Sequence, residues 1–368
     1  MTIGIVGAGQ LGRMLALAGY PLGLDFLFLD RDPHTPGGQV GPILSGEFTD
    51  AKLLAQLSQR CDAVTFDWEN IPVESLESLP GKARIAPPLR ALAAAQDRLS
   101  EKRTFELLGI PTTRYAAVDS RASLETAVRS IGLPGVLKTR RMGYDGKGQF
   151  VLRKPADLDA AWEALGQAPL LYENLVPFDA EVSVIAVRGA DGAVEFYPLN
   201  LNVHRDGILR LTRAPYGNAA LARQAQRAAR KLLEHFDYVG VLTIEFFVKK
   251  GRLTANEMAP RVHNSGHWTI EGADTSQFEN HVRAVAGLPL GSTRARGHSA
   301  MINLIGELPA REPLLREPGL HWHDYGKTAR PGRKLGHLTV TETSRKSRDL
   351  RAFKLLSRVD RATWLAVR

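Results

Sequence analysis

The chain has almost no cysteine: Cys61 stands alone among 368 residues. A single thiol excludes an internal disulfide framework and suits a reducing compartment. No apolar run approaches the ~20 residues that a membrane helix needs, and Met1 does not open a charged, apolar, small-residue leader. A cytoplasmic protein without a membrane partner is expected. Zinc-type Cys/His spacing, an RNA motif with interleaved aromatics and a helix-turn-helix are missing too. There is no Walker A loop, because Lys147 is followed by Gly148 and not by Ser or Thr at a helix start.

What is present is the composition of an ordinary globule, 44% hydrophobic and 24% charged, long enough for two or three domains. The net charge of +9 is uneven. Residues 292–368 hold 16 Lys and Arg against 7 Asp and Glu, and the rest of the chain is balanced. A basic C-terminal part can serve a nucleic-acid surface, can close on a phosphorylated small molecule, or can simply be solvated. With no nucleic-acid motif to support the first, no such partner is expected.

Near the N-terminus, Ile3-Gly4-Ile5-Val6 reads as a buried strand and leads through Gly7-Ala8-Gly9-Gln10-Leu11-Gly12 into an amphipathic helix. This is G-x-G-x-x-G between a strand and a helix, and Asp30 ends the next apolar strand where a ribose-binding acid is expected. A nicotinamide-dependent dehydrogenase is therefore one hypothesis. The physics is only a tight turn that offers backbone amides to an anion, so any phosphate would serve. The turn-rich loop Pro33 to Pro42 interrupts the expected continuation. Ala63 to Phe66 is a further strand, and its polar end Asp67-Trp68-Glu69-Asn70 would face the ligand crevice of such a sheet. A helix opens at Leu89 and runs into the charged segment Gln96 to Lys102.

A second unit begins at Gly109. Strand Gly135 to Lys138 and strand Phe150 to Leu152 flank the loop Gly143-Tyr144-Asp145-Gly146-Lys147-Gly148-Gln149. Three glycines, with Lys147 among them and Lys138 on the strand before, make a flap whose amides and ammonium groups can wrap phosphates. Leu170 to Val176 is another apolar strand; as an edge, its backbone at Glu173, Asn174, Leu175 and Val176 could pair with a purine ring. Glu181, on the next strand, could accept from ribose hydroxyls. Leu221 to His235 is a helix with a basic, solvated face.

The densest stretch is Thr243 to Trp268, TIEFFVKKGRLTANEMAPRVHNSGHW. It reads as two strands joined by the three-residue connection Lys250-Gly251-Arg252. Centred on Gly251, an unbulged hairpin places Glu245 opposite Glu257 on one face, with Cβ atoms roughly 4.5–5.5 Å apart. Like charges so close call for a cation, and magnesium suits carboxylate oxygens supplemented by water and phosphate. Arg261, His263, Asn264, Ser265 and His267 follow within seven residues.

A glycine flap, a strand-end lysine and a paired-glutamate hairpin in this order resemble the ATP-grasp superfamily. GQLGRM at Gly9, QDRLSEK at Gln96, RRMGYDGKGQ at Arg140, NEMAPRVHNSGHWT at Asn256, SQFENHVRA at Ser276 and YGKTARPGRKLGH at Tyr325 are similar, within it, to the N5-carboxyaminoimidazole ribonucleotide synthases of purine biosynthesis. These motifs run over nearly the whole chain. The resemblance implies an α/β and α+β protein with an ATP-grasp fold: a Rossmann-like pre-ATP-grasp domain over 1–97, a nucleotide-binding domain over 98–291 and a small basic domain over 292–368. It implies ATP- and bicarbonate-dependent carboxylation of 5-aminoimidazole ribonucleotide through carboxyphosphate; a formate-using glycinamide ribonucleotide transformylase is the alternative. ATP would meet Arg98, Lys138, the loop Gly143, Tyr144, Asp145, Gly146, Lys147, Gly148 and Gln149, the segment Glu173 to Val176, Glu181, His204, Asn256 and Glu257. Magnesium would sit on Glu245 and Glu257. Asp145, Tyr144, Arg261 and Lys327 would form the catalytic set, with Asp145 taking the amine proton. Gln10, Glu69, Asn70, Lys327, Arg333 and Lys334 would hold the ribonucleotide. A homodimer is the family expectation. Two departures stand out. The strand end reads TFDWEN where the family would write TFEFEN, and EMAPR replaces the EMNPR of biotin-type carboxylases, so Ala259 and the lack of a biotin-carrying segment argue against biotin.

Overall fold

A computed structural model describes residues 1–81, 83–143 and 146–367. The first layer is a parallel sheet of β1 (Thr2–Val6), β2 (Asp25–Asp30), β3 (Ile43–Ser45), β4 (Ala63–Phe66) and β5 (Arg84–Ile85), ordered β3-β2-β1-β4-β5. Both faces are covered, so the strands are continuous apolar runs: Ile3 to Val6, Phe26 to Leu29 and Ala63 to Phe66 are all buried. Strand order reverses beside β1, and the carboxyl ends of β1 and β4 open onto a crevice, the place where such sheets bind ligands.

The single helix expected from Leu89 is two, Leu89–Gln96 and Arg98–Leu107, because Asp97 breaks it. Its extended backbone lets the carboxylate accept from the amides of Leu99 and Ser100, and an N-cap aspartate favours starting a new helix over continuing the old one.

A small antiparallel sheet follows: β6 (Tyr115–Val118), β7 (Gly135–Thr139), β8 (Gln149–Leu152) and β9 (Leu170–Asn174), ordered β6-β9-β7-β8. Helices Arg121–Ile131 and Asp157–Leu165 back it, and Leu124, Leu137, Leu152, Leu170 and Tyr172 give it a core of its own. β9 is interior: Glu173 pairs with Tyr115 on one side and Val136 on the other. The edge backbone expected at Glu173 is therefore already used.

The largest sheet contains β10 (Ala180–Arg188), β11 (Val194–Phe196), β12 (Asn200–Arg205), β13 (Ile208–Ala214), β14 (Gly240–Lys249), β15 (Arg252–Ala259), β16 (His298–Ile305), β17 (Leu320–Asp324) and β18 (Lys334–Glu342). Its order is β15-β14-β10-β12-β13-β16-β18-β17, with β11 on β10. The sheet runs across residue 292, because β16 pairs with β13 from Leu211↔Ile302 to Ala214↔Ser299. Helix Ala219–His235 presses Leu221, Ala225, Ala229 and Leu232 into the core and leaves its arginines outward. Helix Arg345–Val359 covers the other end through Leu355 and Leu356. Helices Gln10–Gly19 and Gln277–Ala286 join the parallel sheet to the rest, sharing a core of Leu11, Leu15, Phe278 and Val282. His281 is a structural bridge there, bonded to Thr65 Oγ1 at 2.9 Å and to the Val241 amide at 3.1 Å.

The β14–β15 hairpin departs from expectation in two ways that cancel. Lys249 pairs with Arg252, so only Lys250 and Gly251 form the turn, with φ of 48° and 72°. Both left-handed values belong to a two-residue hairpin turn, which favours glycine at its second position. That shorter turn alone would misalign the glutamates. A bulge at Asn256 restores them: Phe246 faces Ala255, and Glu245 faces Glu257.

Candidate active site

A cleft of about 800 Å³ lies where the three sheets meet. Its floor is the paired-glutamate hairpin. Burial, reinforced by Glu257 and Glu181 and opposed by His204, pushes the Glu245 carboxyl up to about 7. For Glu257, burial is outweighed by Arg98 and Lys138, which keep it below the usual carboxylate range; Arg98 Nη1 lies 3.2 Å from its Oε2. Beside them Asn256 Oδ1 and both polar atoms of the Asn264 amide are buried without a partner. Two facing carboxylates and orphaned amide oxygens are the donor set a hard cation takes, with phosphate and water completing the shell. Among the described residues no cluster of three or more His, Cys, Asp or Glu forms a closed metal cage. The residues fit an open site.

Helix Arg98–Leu107 holds this hairpin through one face, since positions i, i+3 and i+4 are neighbours. Besides Arg98, Glu101 Oε1 accepts from the Met258 amide at 2.6 Å, and Lys102 Nζ donates to the Asn256 carbonyl at 2.8 Å. These three contacts bracket the bulge. Lys102 also lies 3.3 Å from Glu173 Oε2, which accepts from Thr113 Oγ1 at 2.6 Å, while Glu173 Oε1 pairs with Lys138. Burial would raise the Glu173 carboxyl, yet Lys138 and Lys102 hold it far below its ordinary value. Opposite, Glu181 Oε2 meets His204 Nδ1 at 3.1 Å. Burial alone would lower His204; the Glu181 bond and the Glu245 charge lift it to about 9.

At the mouth of the parallel sheet, Arg261 Nε donates to Glu69 and its Nη1 to the Val262 carbonyl at 2.9 Å, which fixes the guanidinium on the cleft wall. Lys327 Nζ donates to Gln10 Oε1. Burial, aided by Arg333, pulls Lys327 down to about 8.

Comparison with known proteins bears on this arrangement. The ribonucleotide synthetase preATP-grasp domain family matches residues 1–96, the ATP-grasp domain family matches 103–278, and the phosphoribosylaminoimidazole carboxylase C-terminal domain family matches 299–351. The N5-carboxyaminoimidazole ribonucleotide synthase of Pseudomonas aeruginosa is 51% identical over 92% of this chain and 94% of its own. The chain belongs to the N5-carboxyaminoimidazole ribonucleotide synthase family. The Brucella melitensis synthase is 46% identical over 92% of this chain and 95% of its own. The crystal structure of the Thermus thermophilus synthetase superposes with a TM-score of 0.93 at 51% identity, covering 97% of this chain and 98% of that one. The Aspergillus clavatus synthase, solved with ADP and 5-aminoimidazole ribonucleotide, matches with a TM-score of 0.91 at 33% identity, covering 98% of both chains.

Of the residues expected from the synthase motifs, Gln10, Glu69, Asn70, Arg98, Lys138, Gly143, Gly146, Gln149, Leu175, Glu181, His204, Glu245, Asn256, Glu257, Arg261 and Lys334 line the cleft. Within Glu173 to Val176 only Leu175 does, and Asn174 Oδ1 accepts from the Arg114 amide instead. Lys147, Gly148, Lys327 and Arg333 are not on the wall; Lys327 reaches it through Gln10, and Arg333 Nη1 donates to the Thr328 carbonyl at 3.0 Å. Tyr144 and Asp145 lie outside the described residues. Three features went unassigned from sequence. Glu101 was visible only as part of a motif, although its i, i+3 spacing from Arg98 is the signal that could have found it. Phe178, in the connection between β9 and β10, and Phe247 of β14 stack at 5.0 Å on the cleft wall, far apart in sequence. Asp67, which the sequence placed only at a polar strand end facing the crevice, lines the cleft and sends its carboxylate into the glycine turn.

Proposed function

We propose that the protein carboxylates the exocyclic amine of 5-aminoimidazole ribonucleotide with ATP and bicarbonate. The observation that carries this reading is one cleft joining a facing glutamate pair, a lysine-bearing lid sheet and an arginine held beside the parallel-sheet mouth. ATP lies between the small sheet and the hairpin, with Lys138, Arg98 and the glycine flap facing its phosphates. Glu245 and Glu257, with Asn256, would hold magnesium. When bound, the ion neutralises charge that spreads over the transferring phosphoryl group. A bicarbonate oxygen attacks the γ-phosphorus, ADP leaves, and carboxyphosphate forms beside Arg261. Its C–O bond to the phosphate breaks, releasing CO2 and phosphate; the amine nitrogen bonds to the CO2 carbon, and Asp145, supported by Tyr144, takes the proton. Water would destroy these species, so the lid sheet and flap must close before transfer. Lys327, Arg333 and Lys334 anchor the ribonucleotide phosphate, which gives the basic segment after residue 292 its purpose. Gln10, Glu69 and Asn70 line the opposite wall. The reaction belongs in the cytoplasm, which the single cysteine suits, and we take the working form to be a homodimer.

The test is phosphate release from ATP with magnesium and bicarbonate, with and without the ribonucleotide. Release that requires 5-aminoimidazole ribonucleotide and yields an acid-labile product supports the reading; release driven instead by glycinamide ribonucleotide and formate would replace it. Lys327→Ala is expected to raise KM for the ribonucleotide about 10- to 100-fold, the loss of one charge-assisted contact, with little change in KM for ATP. An unchanged ribonucleotide KM removes Lys327 from the anchor. Asp145→Asn is expected to retain ATP binding, read by calorimetry, and to lose carbamate formation. Normal product yield in that variant excludes Asp145 as the base.

A further inference from the structure

The glycine turn after β1 has the spacing of a dinucleotide-binding turn, yet the space it encloses is filled by the protein. Asp67, at the end of β4, points its carboxylate into it: Oδ2 accepts from the Gly12 amide at 3.1 Å. A Cβ built on Gly7 would collide with Oδ1, and one on Gly9 or Gly12 would come within 2.9 or 3.1 Å of Oδ2. All three glycines of the motif thus make room for one carboxylate. Other contacts hold the turn as well. Asp30 Oδ2 accepts from the Ala8 amide at 2.6 Å, and the Gly37 amide donates to the Ala8 carbonyl at 2.8 Å, laying the Pro36–Gln39 turn over it. Gly7, Gly9 and Asp67 still line the cleft, but the hole among the three glycines, where such turns present amides to a phosphate, already holds a carboxylate.

We propose that Asp67 is the resident anion of this turn. Its carboxylate occupies the hole that a phosphate would otherwise take, and it pins the first turn of helix Gln10–Gly19 so that Gln10 meets Lys327. The same helix receives the loop before Lys327 at a second point, where Arg13 Nη1 donates to the Asp324 carbonyl. Asp67 is therefore a positioning residue: it acts on the ribonucleotide through Gln10 and Lys327. That second half rests on the proposed role of Lys327; the self-filled turn stands on the geometry alone.

The experiment compares full-length wild type, Asp67→Ala and Asp67→Asn by thermal unfolding with sodium formate, against sodium chloride at equal ionic strength, and by steady-state kinetics in both substrates. Formate is a carboxylate small enough to refill the hole. It is expected to raise the unfolding midpoint of Asp67→Ala by about 2 °C or more and to leave wild type unmoved. In Asp67→Ala the ribonucleotide KM is expected to rise about tenfold, with the ATP KM within about twofold, and formate to reverse the rise. Asp67→Asn keeps size and an acceptor for the Gly12 amide, so it tests the idea should alanine prevent folding; a smaller ribonucleotide KM rise, insensitive to formate, is expected. A formate-blind Asp67→Ala, parallel loss of both KM values, or wild-type kinetics in Asp67→Asn would overturn the proposal. Wild-type phosphate release indifferent to the ribonucleotide would overturn the functional reading instead, and the formate shift then decides on the resident anion alone.

Discussion

Glu257→Gln is expected to lower ATP-dependent phosphate release by on the order of 10³-fold while the protein stays folded. Glu257 sits opposite Glu245, and Arg98 already holds it ionised. Glutamine keeps the shape of the side chain and can still accept from Arg98. What it removes is the negative charge of the proposed cation ligand in the cleft, where the transition state must spread phosphoryl charge. Phosphate release in saturating magnesium measures the effect. Turnover within about tenfold of wild type would mean that Glu257 is a structural partner of Arg98 and not a metal ligand.

Glu173→Leu is expected to cost about 3–5 kcal/mol of folding stability, the cost of leaving buried charges without their partner. Glu173 is 2% exposed and is shared by Lys138, Lys102 and Thr113. The change strands two ammonium groups where the lid sheet meets the helix that holds the hairpin, so ATP affinity falls along with stability. Its pH dependence has a definite sign. The folded carboxyl titrates far below its unfolded value of about 4.3, so its contribution is complete above that value and is lost as pH falls towards the folded one. Denaturant unfolding of wild type and Glu173→Gln should therefore differ most near neutrality and converge below about pH 4. A gap that stays constant through that range would assign the effect to packing.

The strands of the parallel sheet, the glycine turn, the flap and the hairpin could all be read from the chain alone, because their signals are local. A run such as Ile3 to Val6 must be buried on both faces, Gly251 must allow a left-handed turn, and Lys138 must follow a strand into a glycine-rich loop. The motifs that place the chain in its family are local strings of the same kind. Pairing between distant segments is of another kind, and only the tertiary structure decided it. Glu173 looked like an edge because nothing in Leu170 to Val176 names its neighbours; β6 and β7 took both sides. The basic C-terminal segment could not announce that β16 would extend the ATP-grasp sheet through β13, since hydrogen-bonding groups of a sheet edge are the same whatever the sequence. The opposition of Glu245 and Glu257 depended on a bulge that adds one residue, and a bulge offsets register without a strong side-chain signature. Asp67 shows the limit most sharply. By itself it reads as a polar strand end, and only the closing of β4 beside β1 brings its carboxylate among three glycines, Gly7, Gly9 and Gly12, far earlier in the chain.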